Sequence, residues 1–381
     1  MLNIGIDISS LVYQRGVSRY TTNLIRELAV AAATDTSAFN LHLLGYSRRQ
    51  FSLLQEYAES IEQKNTTQHL FKYPPKVMDM LWNRLHIVPA ELFTGALDVF
   101  HSWDIQPPLK KAKLVTTIHD LAMLKFPQTA HPDILAMHKN SWKWMKKQNA
   151  SIIAVSEATK NDIVELLNIE QEKITVIREA LPIETQFHIQ KEESLAIQKK
   201  YGISKPYILF VVTLEPRKNL KRLLQAYEIL KSRKTDLQLV IAGSDGWEQI
   251  SPKTDIIRAE KPSSHDLAAL FSGAEVLAYP SLYEGFGLPI LEAFWYGVPV
   301  VTSDVSSLPE VGGAAAVYVD PHEADAIADG IQTAVKKKKE LIQKGKKQLK
   351  KFSWKTAAQQ TLDVYRKAYF MESGKREKQN K

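Results

Sequence analysis

Short apolar runs of strand length alternate along this chain with stretches whose apolar residues recur at helical spacing. In the first half the runs are Leu2–Asp7, Leu41–Tyr46, Asp98–His101, Lys113–Asp120, Ser151–Val155 and Lys173–Ile177. A polar stretch from about Pro182 to Ser204 reads as a linker or peripheral helix. The alternation then resumes with Tyr207–Val212, Leu237–Ala242, Val276–Tyr279, Val298–Thr302 and Ala316–Val319. Continuously apolar strands are those buried on both faces, and strands separated by helices pair in parallel. The pattern therefore predicts an α/β fold with two doubly wound sheets. The length of 381 residues also exceeds what one core usually supports. The expected divisions are 1–187, 188–355, and a C-terminal helix with a basic tail over 356–381, the helix packing back toward the first domain.

In such sheets ligands bind at the carboxyl ends of the strands, so the polar residues there are the candidates. Tyr279–Ala293 reads as a strand end, a turn holding Glu284, Gly285, Phe286 and Gly287, and a helix opening at Leu288-Pro289 and carrying Glu292. The glycines open the backbone to a ligand, the helix start favours a phosphate, and the two carboxylates can accept hydrogen bonds from sugar hydroxyls. Arg217-Lys218, in the loop after Tyr207–Val212, suit a diphosphate, one as a planar fork and the other as a point charge. In the first half, Gly16 lies in the loop after the opening strand and His119-Asp120 end another strand. The bland reading of Asp120 is a cap beside an incidental histidine. No GxGxxG occurs, so dinucleotide binding is not supported. Two such edges imply a cleft between domains, a favoured place for a small molecule.

The chain has no cysteine, which excludes disulfides, thiolate catalysis and Cys-ligated metals. Net charge is +8, but residues 336–381 hold sixteen Lys and Arg against four Asp and Glu, leaving −4 for the remainder. Nucleic acid is therefore not an expected partner. The basic C-terminal region could attract an anionic membrane surface, or be a solvated lysine-rich helix face. The helix from His131 to Asn149 mixes Trp142 and Trp144 with lysines, as an interfacial helix does, although core tryptophans with an outer lysine face would give the same pattern. No apolar run is long enough to span a bilayer, and the N-terminus lacks a basic then apolar region, so a cytoplasmic location is expected, with the inner face of the membrane as a candidate site of work.

The series Gly16-Val17-Ser18-Arg19-Tyr20, Asp98-Val99-Phe100-His101, Thr117-Ile118-His119-Asp120-Leu121, Ala154-Val155-Ser156-Glu157, Leu214-Glu215-Pro216-Arg217-Lys218-Asn219 and Pro280 to Gly287 resembles, in order, the retaining GT-B glycosyltransferases of family 4. Glu284 and Glu292 match that family's E-x7-E signature. The resemblance implies two Rossmann-like domains facing an interdomain cleft, the first on the acceptor side and the second binding a nucleotide sugar. It implies that Glu292 binds the nucleotide ribose and Glu284 the donor sugar. Arg217 and Lys218 would bind the diphosphate and stabilise its departure, and the backbone of Gly285, Phe286, Gly287 and Leu288 would contact sugar and phosphate. Gly16 would lie near the diphosphate and His119 near the reacting sugar.

Glu284, Arg217, Lys218 and His119 are thus the catalytic candidates. The variant Leu-Glu-Pro-Arg-Lys-Asn resembles mannosyl- and related transferases of surface-polysaccharide assembly, which points to a GDP-linked donor and a carbohydrate or lipid-linked acceptor. No Asp-x-Asp occurs, so no metal cofactor is expected. Two departures stand out: Val212 replaces a family glycine, which suggests a tighter backbone approach, and Arg178-Glu179-Ala180-Leu181 replaces the usual Asn-Gly turn, so a contact from that turn is not carried over from the family. The competing readings are a nucleotide-sugar epimerase or hydrolase and a non-catalytic sugar-nucleotide-binding protein.

Overall fold

The structure, a computed structural model, describes residues 1–13, 16–35, 37–61, 63–129, 131–244 and 255–379. The turn expected at Gly243–Trp247 leaves the described residues at Asp245. The chain forms two compact units: residues 1–124, 130–179 and 354–381 make the first, and 125–129 with 180–353 make the second.

The first unit is built on a seven-stranded parallel sheet of β1 (Leu2–Asp7), β2 (Phe39–Tyr46), β3 (Thr66–Phe71), β4 (Val99–Ser102), β5 (Lys113–Ile118), β6 (Ser151–Ala154) and β7 (Ile174–Val176), in the order β3-β2-β1-β4-β5-β6-β7. The central strands β4 and β5 bury nearly every residue. The edge strand β3, sequence TTQHLF, is only half buried, which is why its polar sequence gave no strand signal. Helix α1 (Gly16–Thr34) buries Leu24, Ile25, Leu28 and Ala32 at the spacing that marked it as a helix. Helices α2 (Phe51–Ser60), α3 (Pro132–Lys147) and α4 (Glu157–Leu167) follow, α4 being capped by Ser156 Oγ, which accepts from Thr159 N at 3.0 Å.

The last helix, Trp354–Gln379, returns to this unit and packs on α1 and β5. It buries Trp354, Leu362 and Tyr365, roughly 1.5–3 kcal/mol for each such side chain. The Tyr365 hydroxyl lies 2.7 Å from His101 Nδ1, whose Nε2 lies 2.9 Å from Thr117 Oγ1. Burial pushes His101 down to about 3, so it is a neutral structural histidine with both nitrogens satisfied.

The second unit holds a six-stranded parallel sheet of β8 (Tyr207–Val211), β9 (Gln238–Gly243), β10 (Ile256–Glu260), β11 (Val276–Tyr279), β12 (Val300–Ser303) and β13 (Ala316–Val319), in the order β10-β9-β8-β11-β12-β13. Its helices include α5 (Lys191–Lys200), α6 (Leu220–Ser232), α7 (Ser264–Gly273), α8 (Leu288–Trp295), α9 (Ala324–Lys336) and α10 (Lys338–Leu349). The polar stretch before β8 is thus a peripheral helix, opened by a capping box between Gln190 and Glu193. Both sheets reverse strand order once, the first between β1 and β4 and the second between β8 and β11. A crevice opens at such a switch point because the connections on either side leave to opposite faces.

Candidate functional site

In the second unit the loops after β8 and β11 flank the switch point, and they carry Arg217, Lys218 and Glu284. Pro216–Lys218 form a 3-10 turn, closed by Asn219 in the left-handed conformation (φ 65°). The Asn219 amide donates to Pro280 O at 3.0 Å and Pro321 O at 2.7 Å, and Leu282 N donates to Arg217 O at 2.7 Å. The two loops are therefore tied to each other.

Their side chains converge. Lys218 Nζ lies 2.6 Å from Glu284 Oε1, and Arg217 Nη1 lies 3.0 Å from Glu284 Oε2. Arg217 also donates from Nη1 to Tyr283 O at 3.1 Å and from Nε to Glu215 at 2.9 Å, while Lys218 donates to the Tyr279 hydroxyl at 3.1 Å. The Lys218 and Glu284 side chains are 11% and 7% exposed. Burial would raise the Glu284 carboxyl, but the charges of Lys218 and Arg217 outweigh it and hold it at about 2. Burial pushes Lys218 down despite its acidic partner. Glu284 is thus an acceptor at neutral pH with no proton to give, and with Glu215 on Arg217 the two cations are matched by two carboxylates.

The turn itself is held by hydroxyls that sequence reading missed. Ser307 Oγ shares its one proton between Glu284 O (2.9 Å) and Phe286 O (2.8 Å), Ser306 Oγ accepts from Glu284 N (3.0 Å), and Ser303 Oγ donates to Ser281 O (2.7 Å). Nothing local marked these serines, because their partners lie more than twenty residues back. Gly287 caps α8 with φ 108°, a conformation only glycine takes at little cost. Pro289 follows in the first turn of α8, Leu288 opens the helix, and Glu292 lies on it, 3% exposed. Gly285 and Phe286 belong to the turn, and the Phe286 ring meets Phe352 edge-on at 5.9 Å.

Beside the loop of Arg217 and Lys218 the backbones of two strand ends approach closely at Gly243, where a Cβ would stand 1.8 Å from Val212 O.

Because Glu284 is pushed down from 4.5 to about 2, its contribution to stability is complete above pH 4.5 and lost as pH falls toward 2. We expect Glu284→Gln to remove about 3 kcal/mol of this pH-dependent stability. Denaturant melts of wild type and variant between pH 5 and 2 should converge toward the acid end.

In the first unit, Gly16 begins α1, exposed, and a Cβ there would meet no described atom within 4 Å. His119 follows β5, its side chain 17% exposed and its ring edge-on to Tyr20 at 4.7 Å. Asp120 Oδ1 accepts from Ala122 N at 2.9 Å, the capping role. In the Arg178-Glu179 turn, Glu179 Oε1 lies 3.2 Å from His119 Nδ1. Burial would lower His119, but the hydrogen bond and charge of Glu179 outweigh it and raise it, with Asp104 and Asp120 adding to the effect.

Two parallel, doubly wound units with polar groups gathered at their strand ends define the GT-B class of sugar-transferring enzymes. Residues 14–184 match the family described as Glycosyltransferase Family 4, and residues 193–352 match Glycosyl transferases group 1. The O-antigen chain mannosyltransferase B of Escherichia coli is 32% identical over 284 residues, spanning 70% of this chain and 74% of its own. Among solved structures, a glycosyltransferase from Rickettsia africae ESF-5 superposes with a TM-score of 0.68 at 15% identity, over 96% of this chain and 98% of that one. Anabaena Alr3699/HepE, crystallised with UDP and glucose, does so with 0.66 at 14% identity, over 96% and 99%. The chain belongs to glycosyltransferase family 4.

Proposed function

We propose that this protein is a retaining glycosyltransferase that moves a sugar from a nucleotide-diphosphate sugar to an acceptor hydroxyl in polysaccharide or glycolipid assembly. The observation that carries the reading is the buried Arg217–Lys218–Glu284 cluster at the switch point of the second sheet. Its two cations suit a diphosphate leaving group, and its ionised carboxylate suits a sugar hydroxyl. The bond from the sugar's anomeric carbon to the phosphate oxygen breaks as the acceptor oxygen bonds to the same face, and the acceptor's proton passes to the departing phosphate. Arg217, Lys218 and Glu284 act at this step together with His119. Gly16, the Gly285–Leu288 backbone and Glu292 hold the donor. The two cations supply the charge that a metal would otherwise bring, so EDTA should leave the rate unchanged.

The similarity to a mannosyltransferase supports a mannosyl donor, and GDP-mannose is the first to try. HepE was crystallised with UDP and glucose, so UDP-sugars are the comparison. A donor at 100 times its dissociation constant should add about 2.7 kcal/mol of stability, read as a thermal shift. Proton NMR of the product should then show the donor's anomeric configuration. No shift with any nucleotide sugar, or an inverted product, would sink the reading.

In this reading the protein works on the cytoplasmic face of a membrane, on a carbohydrate or lipid-linked acceptor. Among the described residues no helix is long and apolar enough to cross a bilayer. A peripheral contact has support in the first unit, where Tyr73, Val77, Met80, Leu85, Ile87 and Leu92 are exposed within one short stretch. Beside it Trp144 stacks on His86 at 3.7 Å, with Lys143 and Lys147 over its ring. Trp142, in contrast, is core at 8% exposure. Exposed apolar groups with Lys143 and Lys147 beside them suit an anionic lipid surface. Co-sedimentation with phosphatidylglycerol vesicles, lost in Leu85→Asp/Ile87→Asp, tests the contact.

A further inference from the structure

The first unit places two histidines, His101 in β4 and His119 just after β5, whose surroundings differ in kind. His101 has both ring nitrogens satisfied, by Tyr365 and Thr117, and serves structure alone. His119 has Nδ1 against Glu179 at 3.2 Å, while its Nε2 is buried with no hydrogen-bond partner among the described residues. Glu179 is itself 5% exposed and lies just past β7, tied down where Ile177 N donates to Ala154 O at 2.9 Å. The backbone of His119 is fixed as well, its carbonyl accepting from Thr159 Oγ1 at 3.2 Å.

A buried carboxylate is costly unless paired, and a bare buried nitrogen forfeits the hydrogen bond it would make in water. A ring anchored so firmly at one nitrogen and left bare at the other is arranged for a ligand at the second. Resting on the transferase reading above, we propose that Glu179 is a positioning residue. It holds His119 through Nδ1 and presents Nε2 to a hydroxyl of the reacting sugar. A carboxylate at Nδ1 keeps the proton on that nitrogen, as in other acid–histidine pairs. Nε2 then accepts from the hydroxyl when the ring is neutral and donates to the hydroxyl oxygen when it is charged. The titratable groups around the ring are Glu179, Asp104 and Asp120, which favour its charged form, and His101 and Tyr20, of which His101 is neutral by burial.

Glu179→Gln keeps the shape and an accepting oxygen but drops the charge. It should lower kcat roughly 10- to 100-fold, the usual scale for a partner that orients a working histidine. The donor KM and the donor-induced thermal shift should stay within about twofold, because the cations lie in the second unit. The histidine limb of the pH–kcat profile should move to lower pH, and Glu179→Asp should restore part of kcat. In the wild type, imidazole nitrogen NMR of His119 should show Nδ1 protonated. A Glu179→Gln enzyme with wild-type kcat and an unmoved limb would overturn the proposal, as would a ring protonated only at Nε2. If the wild type transferred no sugar at all, the transferase reading would fall instead, and the nitrogen spectrum would still decide whether Glu179 holds the ring.

Discussion

Glu284→Ala is expected to cost about 3–5 kcal/mol of stability and at least about 100-fold in transfer. The stability loss follows from what the carboxylate leaves behind. Lys218 and Arg217 lie 2.6 and 3.0 Å from it, and the Lys218 side chain is only 11% exposed. Without Glu284, Lys218 has no carboxylate partner and Arg217 keeps only Glu215, with little water to screen the cations, and breaking a buried pair from one side costs more than the pair itself contributes. Denaturant unfolding gives the first number and initial rates with a saturating donor give the second. Glu284→Ala/Lys218→Met should recover part of the stability, because it removes one of the stranded charges, but no transfer. If the alanine variant kept full activity, the role of Glu284 at the donor sugar would be lost.

Gly243→Ala is expected to cost about 3 kcal/mol or more and to weaken donor binding with it. Gly243 has φ +140°, and an added Cβ would stand 1.8 Å from the carbonyl oxygen of Val212. Backbone, not a flexible side chain, is what it meets. Relief requires β8 and β9 to separate where Val212 N donates to Ala242 O at 2.9 Å and Leu214 N to Ser244 O at 3.2 Å. The loop that carries Arg217 and Lys218 begins there, so the damage reaches the cations. Thermal melting and donor titration of the same variant measure both effects, and an unchanged melting temperature would contradict the geometry.

Much of the frame was legible in the chain. Tyr207–Val211 and Val276–Tyr279 are buried on both faces and read as strands from their apolar runs alone. Thr66–Phe71 and Ile256–Glu260 did not read as strands, because an edge strand is covered on one side and tolerates polar residues. The Glu284–Pro289 turn was visible as a glycine turn opening a helix. That the Glu284 carboxylate would be claimed by Arg217 and Lys218 was not visible.

Local sequence carries burial, because strand and helix periodicities report which faces meet the core within a few residues. It carries the position of polar loops at strand ends for the same reason, and those two facts determined the parallel α/β units and the candidate residues. Only the tertiary structure decided the pairings. Lys218 meets Glu284 across 66 residues, His119 meets Glu179 across 60, and His101 meets Tyr365 across 264. Such partners depend on the order in which strands are laid into a sheet. That order is non-consecutive here, with β1 beside β4 and β8 beside β11, and no periodicity in the chain encodes it.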